Sequence, residues 1–572
     1  MVNLTIDGKP VQAYEQMTLL GAAQMTGAQI PTLCYMGKNN CIGSCRVCVV
    51  DVEGVGMVAS CNTQVQEGMV VNTSSAAVVQ ARRQNVAALM DEHRTACATC
   101  VRQESCALRK LASDFNVVED SVEIPPARSE WNPDFPLQRD ASKCIKCLRC
   151  VAECQKVQHC AVWDFTGSGP TYKVTVKNGL NIEDAGCALC GQCITHCPTG
   201  ALSARDDTDK VIAALLDPEV ETVVQVAPAV RVAWGEGVGL TREEANPGRL
   251  ASALRALGFD HIYDTDFAAD LTIMEEGTEF IEFLSSDKPR PMFTSCCPGW
   301  VRFAKQHYPE FVGQLSSAKS PHEMMGAVAK HTLREAAQAA GKRLFVLSVM
   351  PCVAKKYECD VPQLASEGEA NVDAVLTVRE FDRMLKMFQI DCVALEESSF
   401  DDPLGQSTGA ATIFGRTGGV MEAALRTAAT ILTGKPASFD ACDCTAATPN
   451  RPWLSKELDI AGTTVSVAVA SGLGNTARLL DAIKAGKAHY DFVEIMACPG
   501  GCVAGGGQPI AFNQELGPER TRALNSLDVN DTLRMSHDNP SIQKLYADVL
   551  GQPLSHMSHE LLHTSQEEWD LD

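Results

Sequence analysis

The chain has 572 residues, of which 45% are hydrophobic and 21% are charged, and its formal net charge is −22. This length allows three or four domains, and this composition excludes a disordered chain. The negative charge argues against nucleic acid and against an anionic membrane surface as partners. No run of about 18 apolar residues is present, which predicts that no segment spans a membrane.

The chain contains 26 cysteines, many of them at the Cys-x2-Cys spacing that suits metals better than disulfides. The first residues, MVNLTIDGKPVQ, lack the basic and apolar regions of a signal peptide. We therefore predict a reduced, metal-containing protein of the cytoplasm.

Residues 1–78 are predicted to form a small β-rich domain, with a turn at Asp7-Gly8 between two strands and a helix capped by Thr18. Its first group of cysteines is Cys34, Cys45, Cys48 and Cys61. One Cys-x2-Cys pair with two outlying cysteines resembles the plant-type [2Fe–2S] ferredoxins. A zinc ribbon is the alternative, but ribbons usually have two such pairs. Cys41 is not expected to be a ligand.

Residues 79–125 are predicted to be largely helical and carry a second group, His93, Cys97, Cys100 and Cys106. One imidazole and three thiolates can hold zinc or a [4Fe–4S] cluster, and the position between two other iron–sulfur modules favours the cluster. The same stretch carries a basic island that is a candidate docking patch for an acidic electron partner: Arg82, Arg83, Arg102, Arg109 and Lys110.

The Pro-rich stretch from Ile124 to Pro136 is predicted to be a linker. Residues 126–208, which include most of it, carry eight cysteines at ligand spacing. Two runs of Cys-x2-Cys-x2-Cys-x3-Cys match the duplicated bacterial ferredoxin pattern, in which the fourth cysteine of each run ligates the other cluster. One predicted [4Fe–4S] set is Cys144, Cys147, Cys150 and Cys197, and the other is Cys187, Cys190, Cys193 and Cys154.

Residues 209–572 change to an α/β pattern. Four apolar runs read as buried parallel strands, and helical stretches alternate with them. The predicted strands are 222–227, 344–349, 465–470 and 492–496, and the predicted helices include 250–257, 321–340 and 475–484. Ligands of such sheets lie beyond the carboxyl ends of the strands, which is where three cysteine-bearing segments fall.

The three segments are TSCCPGW (294–300), MPCVAKKYE (350–358) and EIMACPGGCVAGGGQP (494–509). They bring five cysteines to strand ends, one more than a cubane cluster requires. Glycines at 500–501 and 505–507 are expected to let the backbone approach a bulky inorganic group.

These three segments are similar, nearly residue for residue, to the signature motifs of the [FeFe]-hydrogenases. The cluster layout resembles that of the large clostridial-type members, and the resemblance extends to a helical tail with His559, Leu561 and Leu562. It implies a multidomain protein of α+β and α/β class: a β-grasp [2Fe–2S] domain, a His/Cys [4Fe–4S] domain, a 2[4Fe–4S] ferredoxin-like domain and a large α/β catalytic domain with parallel sheets.

The resemblance also implies the H-cluster, a [4Fe–4S] cubane joined to a di-iron unit that carries CO, cyanide and an azadithiolate. By motif, the cubane ligands are Cys297, Cys352, Cys498 and Cys502, and Cys502 bridges to the di-iron unit. Cys296 corresponds to the family's proton carrier. Lys355 could donate to a cyanide, whereas Lys356 reads as a solvated lysine. Met350 and Met496 correspond to apolar residues packed around the di-iron unit.

Glu276 and Glu279 lie at i, i+3 spacing on one face of a predicted helix. Two carboxylates in a partly buried site raise each other's pKa and can pass protons near neutral pH. The expected relay, with its order taken from the family, runs from Cys296 through a water to Glu279, Ser316 and Glu276.

Three positions depart from the family pattern. In Ala227-Pro228-Ala229, which we expect to line the cofactor, Ala229 stands where some members have a serine that bonds a cyanide. His322 stands where some have glutamine, and Phe283 where some have an arginine at the outer end of the relay. These departures bear on fine tuning and on the proton exit.

The predicted reaction interconverts H2 with protons and electrons, with three accessory [4Fe–4S] clusters and one [2Fe–2S] cluster as the electron wire. The expected partners are ferredoxin or flavodoxin, and maturation proteins for the di-iron unit. A multi-subunit, NADH-coupled enzyme remains an alternative. Two others are a non-catalytic electron relay like the large iron–sulfur subunit of respiratory NADH dehydrogenase, and an iron–sulfur assembly protein. Six cysteines receive no role: Cys41, Cys160, Cys359, Cys392, Cys442 and Cys444.

Overall fold

The computed structural model describes residues 1–37, 39–117, 131–434, 452–460, 462–567 and 571. Cys442, Cys444 and the first part of the predicted Pro-rich linker lie outside these residues. Among the described residues, no helix combines the length and the apolarity that crossing a bilayer requires.

The N-terminal region is a five-stranded mixed sheet with one helix packed on it. The strands are β1 (Val2–Ile6), β2 (Lys9–Ala13), β3 (Val49–Val52), β4 (Gly56–Ala59) and β5 (Val70–Asn72), in the order β2-β1-β5-β3-β4. Only β1 and β5 are parallel. The predicted turn and cap are confirmed: Asp7 and Gly8 have positive φ, and the Thr18 hydroxyl accepts a hydrogen bond from the Gly21 amide at the start of α1 (Leu19–Met25).

The next two regions are small and are built around their cysteines. Two helices follow the first sheet, α2 (Ala76–Asp91) and α3 (Ala107–Asp114). The ferredoxin-like region pairs β6 (Leu137–Arg139) with β9 (Leu202–Ala204) and β7 (Trp163–Thr166) with β8 (Lys173–Val176), and has the short helices α4 (Arg149–Ala152) and α5 (Gln192–His196).

The remaining residues form an α/β region with two four-stranded sheets. The first is fully parallel, in the order β11 (His261–Asp264), β10 (Val220–Val226), β13 (Arg343–Met350), β14 (Ala374–Thr377). The second has the order β12 (Met292–Phe293), β17 (Phe492–Met496), β16 (Thr463–Ser471), β15 (Leu454–Ile460), and only its edge strand β15 runs antiparallel. The four predicted strands are therefore confirmed, within a few residues at their ends.

Helices cover both sheets. They are α6 (Thr208–Leu216), α7 (Pro247–Leu257), α8 (Thr265–Leu284), α9 (Pro298–His307), α10 (Pro321–Ala339), α11 (Lys355–Glu358), α12 (Val378–Met387), α13 (Gly409–Thr412), α14 (Gly419–Thr433), α15 (Leu473–Lys484), α16 (Gly517–Asn530), α17 (Pro540–Leu545) and α18 (His556–Leu562).

Helix α8 joins the two halves of this region. Its residues Phe267 and Leu271 belong to the core of the first sheet, and Ile273 and Phe280 belong to the core of the second. This explains why most of α8 is buried although it carries six acidic residues.

Candidate active site

The three cysteine-bearing segments begin at the carboxyl ends of parallel strands in both sheets. Met350 is the last residue of β13 and precedes Cys352, and Met496 is the last residue of β17 and precedes Cys498. Cys297 caps the start of α9 just after β12. Ligand sites of α/β proteins form at such strand ends, so the fold itself places the motifs together.

The structure brings together the four cysteines that the motif assigns to the cubane. The Ala497 amide donates to Cys297 Sγ at 3.4 Å. Burial, and then the negative charges of Cys297 and Cys352, raise the pKa of the Cys502 thiol. The Cys498 thiol is affected in the same way. A set of four converging thiolates is the donor chemistry that an iron–sulfur cluster requires, so these residues fit the group.

Two glycines of the third segment lie against neighbouring protein backbone. A Cβ on Gly505 would lie 2.3 Å from the Pro351 carbonyl oxygen, and one on Gly501, whose φ is +92°, would lie 2.6 Å from the Thr417 amide nitrogen. These glycines let the segment approach neighbouring protein backbone closely, and close approach to an inorganic group stays a prediction.

Lys355 lies inside the site. Its Nζ donates to the Cys296 carbonyl oxygen at 3.3 Å and to Glu358 Oε2 at 2.5 Å. Glu358 also belongs to the second motif, and the i, i+3 spacing on α11 was the signal that could have identified it as a partner.

The prediction for Lys356 was wrong. Its side chain is 0% exposed and its Nζ lies 2.8 Å from Asp207 Oδ2 and 3.0 Å from Glu380 Oε2. The two carboxylates allow the ammonium to be buried, which a solvated lysine would not require.

The two glutamates of the predicted relay, both on α8, lie at different depths. Glu276 is 1% exposed, whereas Glu279 is half-buried. Burial, and then the negative charge of Glu279, raise the pKa of Glu276 to about 8. Burial, and then the charge of Glu276, raise the pKa of the Cys296 thiol. Glu276 is therefore the glutamate nearer to Cys296, and the predicted order, in which Glu279 follows Cys296, is wrong.

Ser316 contacts both glutamates. Its hydroxyl donates to Glu279 Oε2 at 2.6 Å, and Ser317 donates to Glu279 Oε1 from its backbone amide at 3.1 Å and from its hydroxyl at 2.9 Å. One oxygen of Glu276, Oε2, has no hydrogen-bond partner among the described residues. A buried oxygen of this kind is costly unless it is protonated or meets a water.

The departures from the family pattern have structural consequences. Ala229 is fully buried, and its carbonyl oxygen accepts from Gln508 Nε2 at 3.0 Å; Pro228 precedes it in the loop after β10. Phe283 is 7% exposed, but the guanidinium of Arg290 lies 5.7 Å from its ring centre. A cation therefore lies beside position 283, contributed by a different residue. His322 bonds to Glu358 Oε2 at 2.6 Å.

The accessory cysteines lie in the predicted groups. Thiol contacts join Cys34 to Cys45 and Cys61, and Cys48 to Cys61. Three cavities have walls that contain, in turn, the set of Cys144, Cys147, Cys150 and Cys197, the set of Cys154, Cys187, Cys190 and Cys193, and the set of His93, Cys97, Cys100 and Cys106. The wall of the second cavity also contains Cys160, which sequence reasoning left without a role.

Hydrogen bonds and close contacts connect these groups to one another. Asn40 Nδ2 donates to the carbonyl oxygens of Cys34 at 2.7 Å and Cys147 at 2.9 Å. Cys100 Sγ lies 4.0 Å from the Thr199 carbonyl oxygen, and Cys498 Sγ lies 3.7 Å from the Cys190 carbonyl oxygen. The first two groups therefore meet the ferredoxin-like region on one side, and that region meets the candidate active site on the other.

The basic island is only partly a surface feature. Arg82 is buried and donates to the Val49 carbonyl oxygen, and Arg102 is buried and donates to the carbonyl oxygens of Ile194 and Thr195. The island as predicted is wrong for these two residues. The exposed members are Arg83, Arg109 and Lys110.

Three other cysteines that received no predicted role pack against or bond to neighbouring protein atoms. Cys359 and Cys392 are buried in the core of the first α/β sheet, and the Cys41 thiol donates to the Gly37 carbonyl oxygen at 2.7 Å.

Four family models match successive parts of the chain. They are a 2Fe-2S iron-sulfur cluster binding domain (1–76), an iron-sulfur binding region of NADH-ubiquinone oxidoreductase-G (82–120), the C-terminal domain of the iron only hydrogenase large subunit (220–506) and the iron hydrogenase small subunit (515–567).

Individual relatives point to the same family as these models. The chain is 43% identical to an NADP-reducing hydrogenase subunit of Solidesulfovibrio fructosivorans, over 99% of this chain and 98% of that one. It is 36% identical to iron hydrogenase 1 of Clostridium pasteurianum, over 98% and 99%. A solved apo [FeFe]-hydrogenase variant from Chlamydomonas reinhardtii superposes with a TM-score of 0.56 at 38% identity, covering 63% of this chain and 98% of that one. The chain belongs to the iron-only, or [FeFe]-, hydrogenase family.

Proposed function

We propose that this chain catalyses the reversible reaction of H2 with two oxidised ferredoxins, giving two protons and two reduced ferredoxins. The observation that carries the proposal is the convergence of four thiols with a fifth, Cys296, and the buried ammonium of Lys355 at one point between the two sheets. A passive electron relay requires the four thiols but neither the spare thiol nor the lysine.

Cys297, Cys352, Cys498 and Cys502 would hold the cubane, with Cys502 as the bridge to the di-iron unit. That unit, with its CO, cyanide and azadithiolate ligands, supplies the centre at which H2 is formed and cleaved. Lys355 would donate to a cyanide. The remaining walls would come from Met350, Met496, Pro228 and Ala229, and His322 would act from behind them through Glu358.

The protein would move protons through its own side chains. Cys296 would hold the proton nearest the reacting centre and exchange it with Glu276, and Ser316 would pass it to Glu279. A pKa of about 8 suits Glu276 to this role, because the carboxyl can both accept and release a proton near neutral pH. Arg290, beside Phe283, would supply the positive charge that other members place at that position.

The accessory groups would carry the electrons. We assign a β-grasp [2Fe–2S] domain to residues 1–78, a [4Fe–4S] domain with one histidine and three cysteine ligands to 79–125, a 2[4Fe–4S] domain to 126–208 and the catalytic domain to 209–572. The contacts of Asn40 and Cys100 support two entrances that meet at the Cys144 set, and the contact between Cys190 and Cys498 supports passage into the active site.

The electron partner has two candidates. Ferredoxin or flavodoxin would dock near the exposed Arg83, Arg109 and Lys110. The relative from Solidesulfovibrio fructosivorans, named an NADP-reducing hydrogenase subunit, favours a second candidate, a nicotinamide-coupled partner subunit. Reduction of ferredoxin by H2 with the isolated chain would support the first, whereas electron transfer that requires an added partner subunit would support the second.

The decisive experiment is maturation of the purified chain with the di-iron unit, followed by H2 evolution from reduced dye and an infrared spectrum. We expect H2 together with bands of metal-bound CO and cyanide. A correctly assembled protein with neither result would leave the relay and assembly functions. A Cys392→Ser variant, which changes a thiol of the core, controls for general loss of fold.

A further inference from the structure

His322 lies in a buried polar cluster behind the candidate active site. It is the second residue of α10 and is 1% exposed. Its Nε2 lies 2.6 Å from Glu358 Oε2 and 3.0 Å from Glu323 Oε1, and its Nδ1 lies 3.2 Å from Ser348 Oγ. One imidazole therefore faces two carboxylates inside the protein.

This cluster is connected directly to Lys355. Glu358 Oε2, the atom that His322 contacts, also accepts from Lys355 Nζ at 2.5 Å and from Ser320 Oγ at 2.9 Å. Lys355 Nζ in turn donates to the Cys296 carbonyl oxygen. The position of the ammonium thus depends on a carboxylate that His322 helps to hold.

The charges around His322 indicate that its imidazole ring is protonated. Glu323 and Glu358 contribute two negative charges, and Lys355 contributes one positive charge. Glu323 Oε1 lies 3.0 Å from the ring Nε2 but makes no well-aligned hydrogen bond among the described residues, so a neutral ring would leave its negative charge buried and unbalanced at that point. Burial and Lys355 lower the pKa of His322, but the two carboxylates outweigh them and raise it. A protonated ring makes the cluster neutral.

Two neighbours complete the surroundings. Asn371 Nδ2 donates to Glu323 Oε2 at 3.1 Å, and Lys319 Nζ bonds to Ser366 Oγ at 2.7 Å and the Leu561 carbonyl oxygen at 3.1 Å. Burial lowers the pKa of Lys319 to about 8. Lys319 faces Glu323 without a direct bond, so it does not replace the charge of His322.

A metal ion is the other occupant to consider. Ligand atoms of His322, Glu323 and Glu358 lie within 4.8 Å of one another. However, Lys355 Nζ lies 2.5 Å from the same oxygen of Glu358, and its positive charge would repel a cation at that place. The geometry is that of an ion-paired imidazolium.

We propose that His322 is a positioning residue, which holds Glu358 so that the Lys355 ammonium is shared between this carboxylate and the di-iron unit's cyanide. The inference rests on the proposed function of Lys355. When the ring is neutral, Glu358 keeps more of its negative charge for Lys355 and draws the ammonium away from the cyanide. Members with glutamine at this position would lack this proton-dependent adjustment.

The test compares His322→Gln with His331→Gln. His331 lies on the same helix and also bonds to a glutamate, Glu367, at 3.1 Å, but near the surface. The matured proteins are studied by infrared spectroscopy over a range of pH. In the wild type and in His331→Gln we expect the cyanide and CO bands to move to lower wavenumber as pH rises through the pKa of His322, because a hydrogen bond that withdraws electron density weakens.

In His322→Gln we expect this step to be absent and the bands to stay at the high-pH position. Bands and a pH step identical to those of the wild type would overturn the proposal. One zinc ion per chain that is lost in His322→Gln and kept in His331→Gln would overturn it in favour of a metal site. If all three proteins lack CO and cyanide bands, the proposed function fails instead, so the two failures are distinguishable.

Ser348→Ala is a milder variant, should His322→Gln fold poorly. The Ser348 hydroxyl accepts from the protonated ring at Nδ1, so its removal should keep the infrared step and lower its midpoint pH. An unchanged midpoint would count against the proposal. Thermal unfolding of the protein with its iron–sulfur clusters but without the di-iron unit gives an independent readout. The advantage of the wild type over His322→Gln should shrink as pH rises.

Discussion

Gly191 and Gly506 meet so closely that neither position has room for a side chain. A Cβ on Gly506 would lie 2.6 Å from the Gly191 Cα, and one on Gly191 would lie 2.8 Å from the Gly506 Cα. Gly191 follows Cys190 of an accessory cluster set, and Gly506 belongs to the third active-site segment. This contact therefore holds the end of the proposed electron path against the candidate active site.

Gly506→Ala should separate these two backbones. Over-packing of this kind typically costs about 1–3 kcal/mol, and we expect a lower midpoint of thermal unfolding and slower H2 evolution per matured active site. Gly277→Ala is the control, because Gly277 lies in α8 with nothing within 4 Å of its added Cβ. Its midpoint should stay the same or rise, since alanine favours a helix by up to about 1 kcal/mol. Equal effects of the two changes would contradict the role of the contact.

Cys296→Ser or Cys296→Ala should reduce turnover by about two to four orders of magnitude, the usual contribution of a positioned proton donor. The cubane should still assemble, because Cys296 is additional to the four assigned ligands. Iron content and the infrared bands check assembly, and H2 evolution checks turnover. Turnover like that of the wild type would remove Cys296 from the mechanism.

Glu276→Gln should remove a pH dependence of the protein's stability and should also slow H2 evolution. The folded pKa of Glu276, about 8, lies above its ordinary value of 4.5, so the folded protein holds this proton more tightly than the unfolded chain does. The resulting stability is fully present below pH 4.5 and is lost as pH rises through about 8.

The midpoint of thermal unfolding should therefore fall less in Glu276→Gln than in the wild type between about pH 6 and about pH 9, a range that brackets the folded pKa. Glu282→Gln, an exposed change on the same helix, should leave both the stability profile and turnover unchanged. A wild-type profile in Glu276→Gln would show that this carboxyl is ionised at neutral pH.

Features of the structure that depend on a local pattern could be predicted from the sequence. Buried parallel strands are continuous apolar runs, so β10, β13, β16 and β17 could be predicted, and the cysteine sets follow from their spacing. The order of Glu276 and Glu279 could not, because i, i+3 spacing puts both on one helix face and only the docking of α8 decides which is deeper. The burial of Lys356 depends on Asp207 and Glu380, which are distant along the chain.

Lys356→Met should be strongly destabilising. It would leave the carboxylates of Asp207 and Glu380 buried without their shared ammonium, a loss that typically costs about 3–5 kcal/mol. Lys386→Met is the matched control, since Lys386 pairs with Glu104 at the surface, where a salt bridge contributes about 0–1 kcal/mol. Thermal unfolding of both variants checks the difference. A small effect for Lys356→Met would mean that water reaches the carboxylates of Asp207 and Glu380.

Arg109 and Arg102 belong to the same basic stretch of sequence but should respond differently to substitution. Arg109 is exposed next to Cys106, so Arg109→Glu should lower the rate of ferredoxin reduction and weaken its dependence on salt, with dye-linked activity unchanged. Arg102→Gln should lower stability and dye-linked activity together, because the buried guanidinium binds the carbonyl oxygens of Ile194, Thr195 and Cys197 beside a cluster set. Stopped-flow reduction of ferredoxin at several ionic strengths, with thermal unfolding, separates the two outcomes. If Arg109→Glu leaves both the ferredoxin rate and its salt dependence unchanged, the electron partner docks elsewhere.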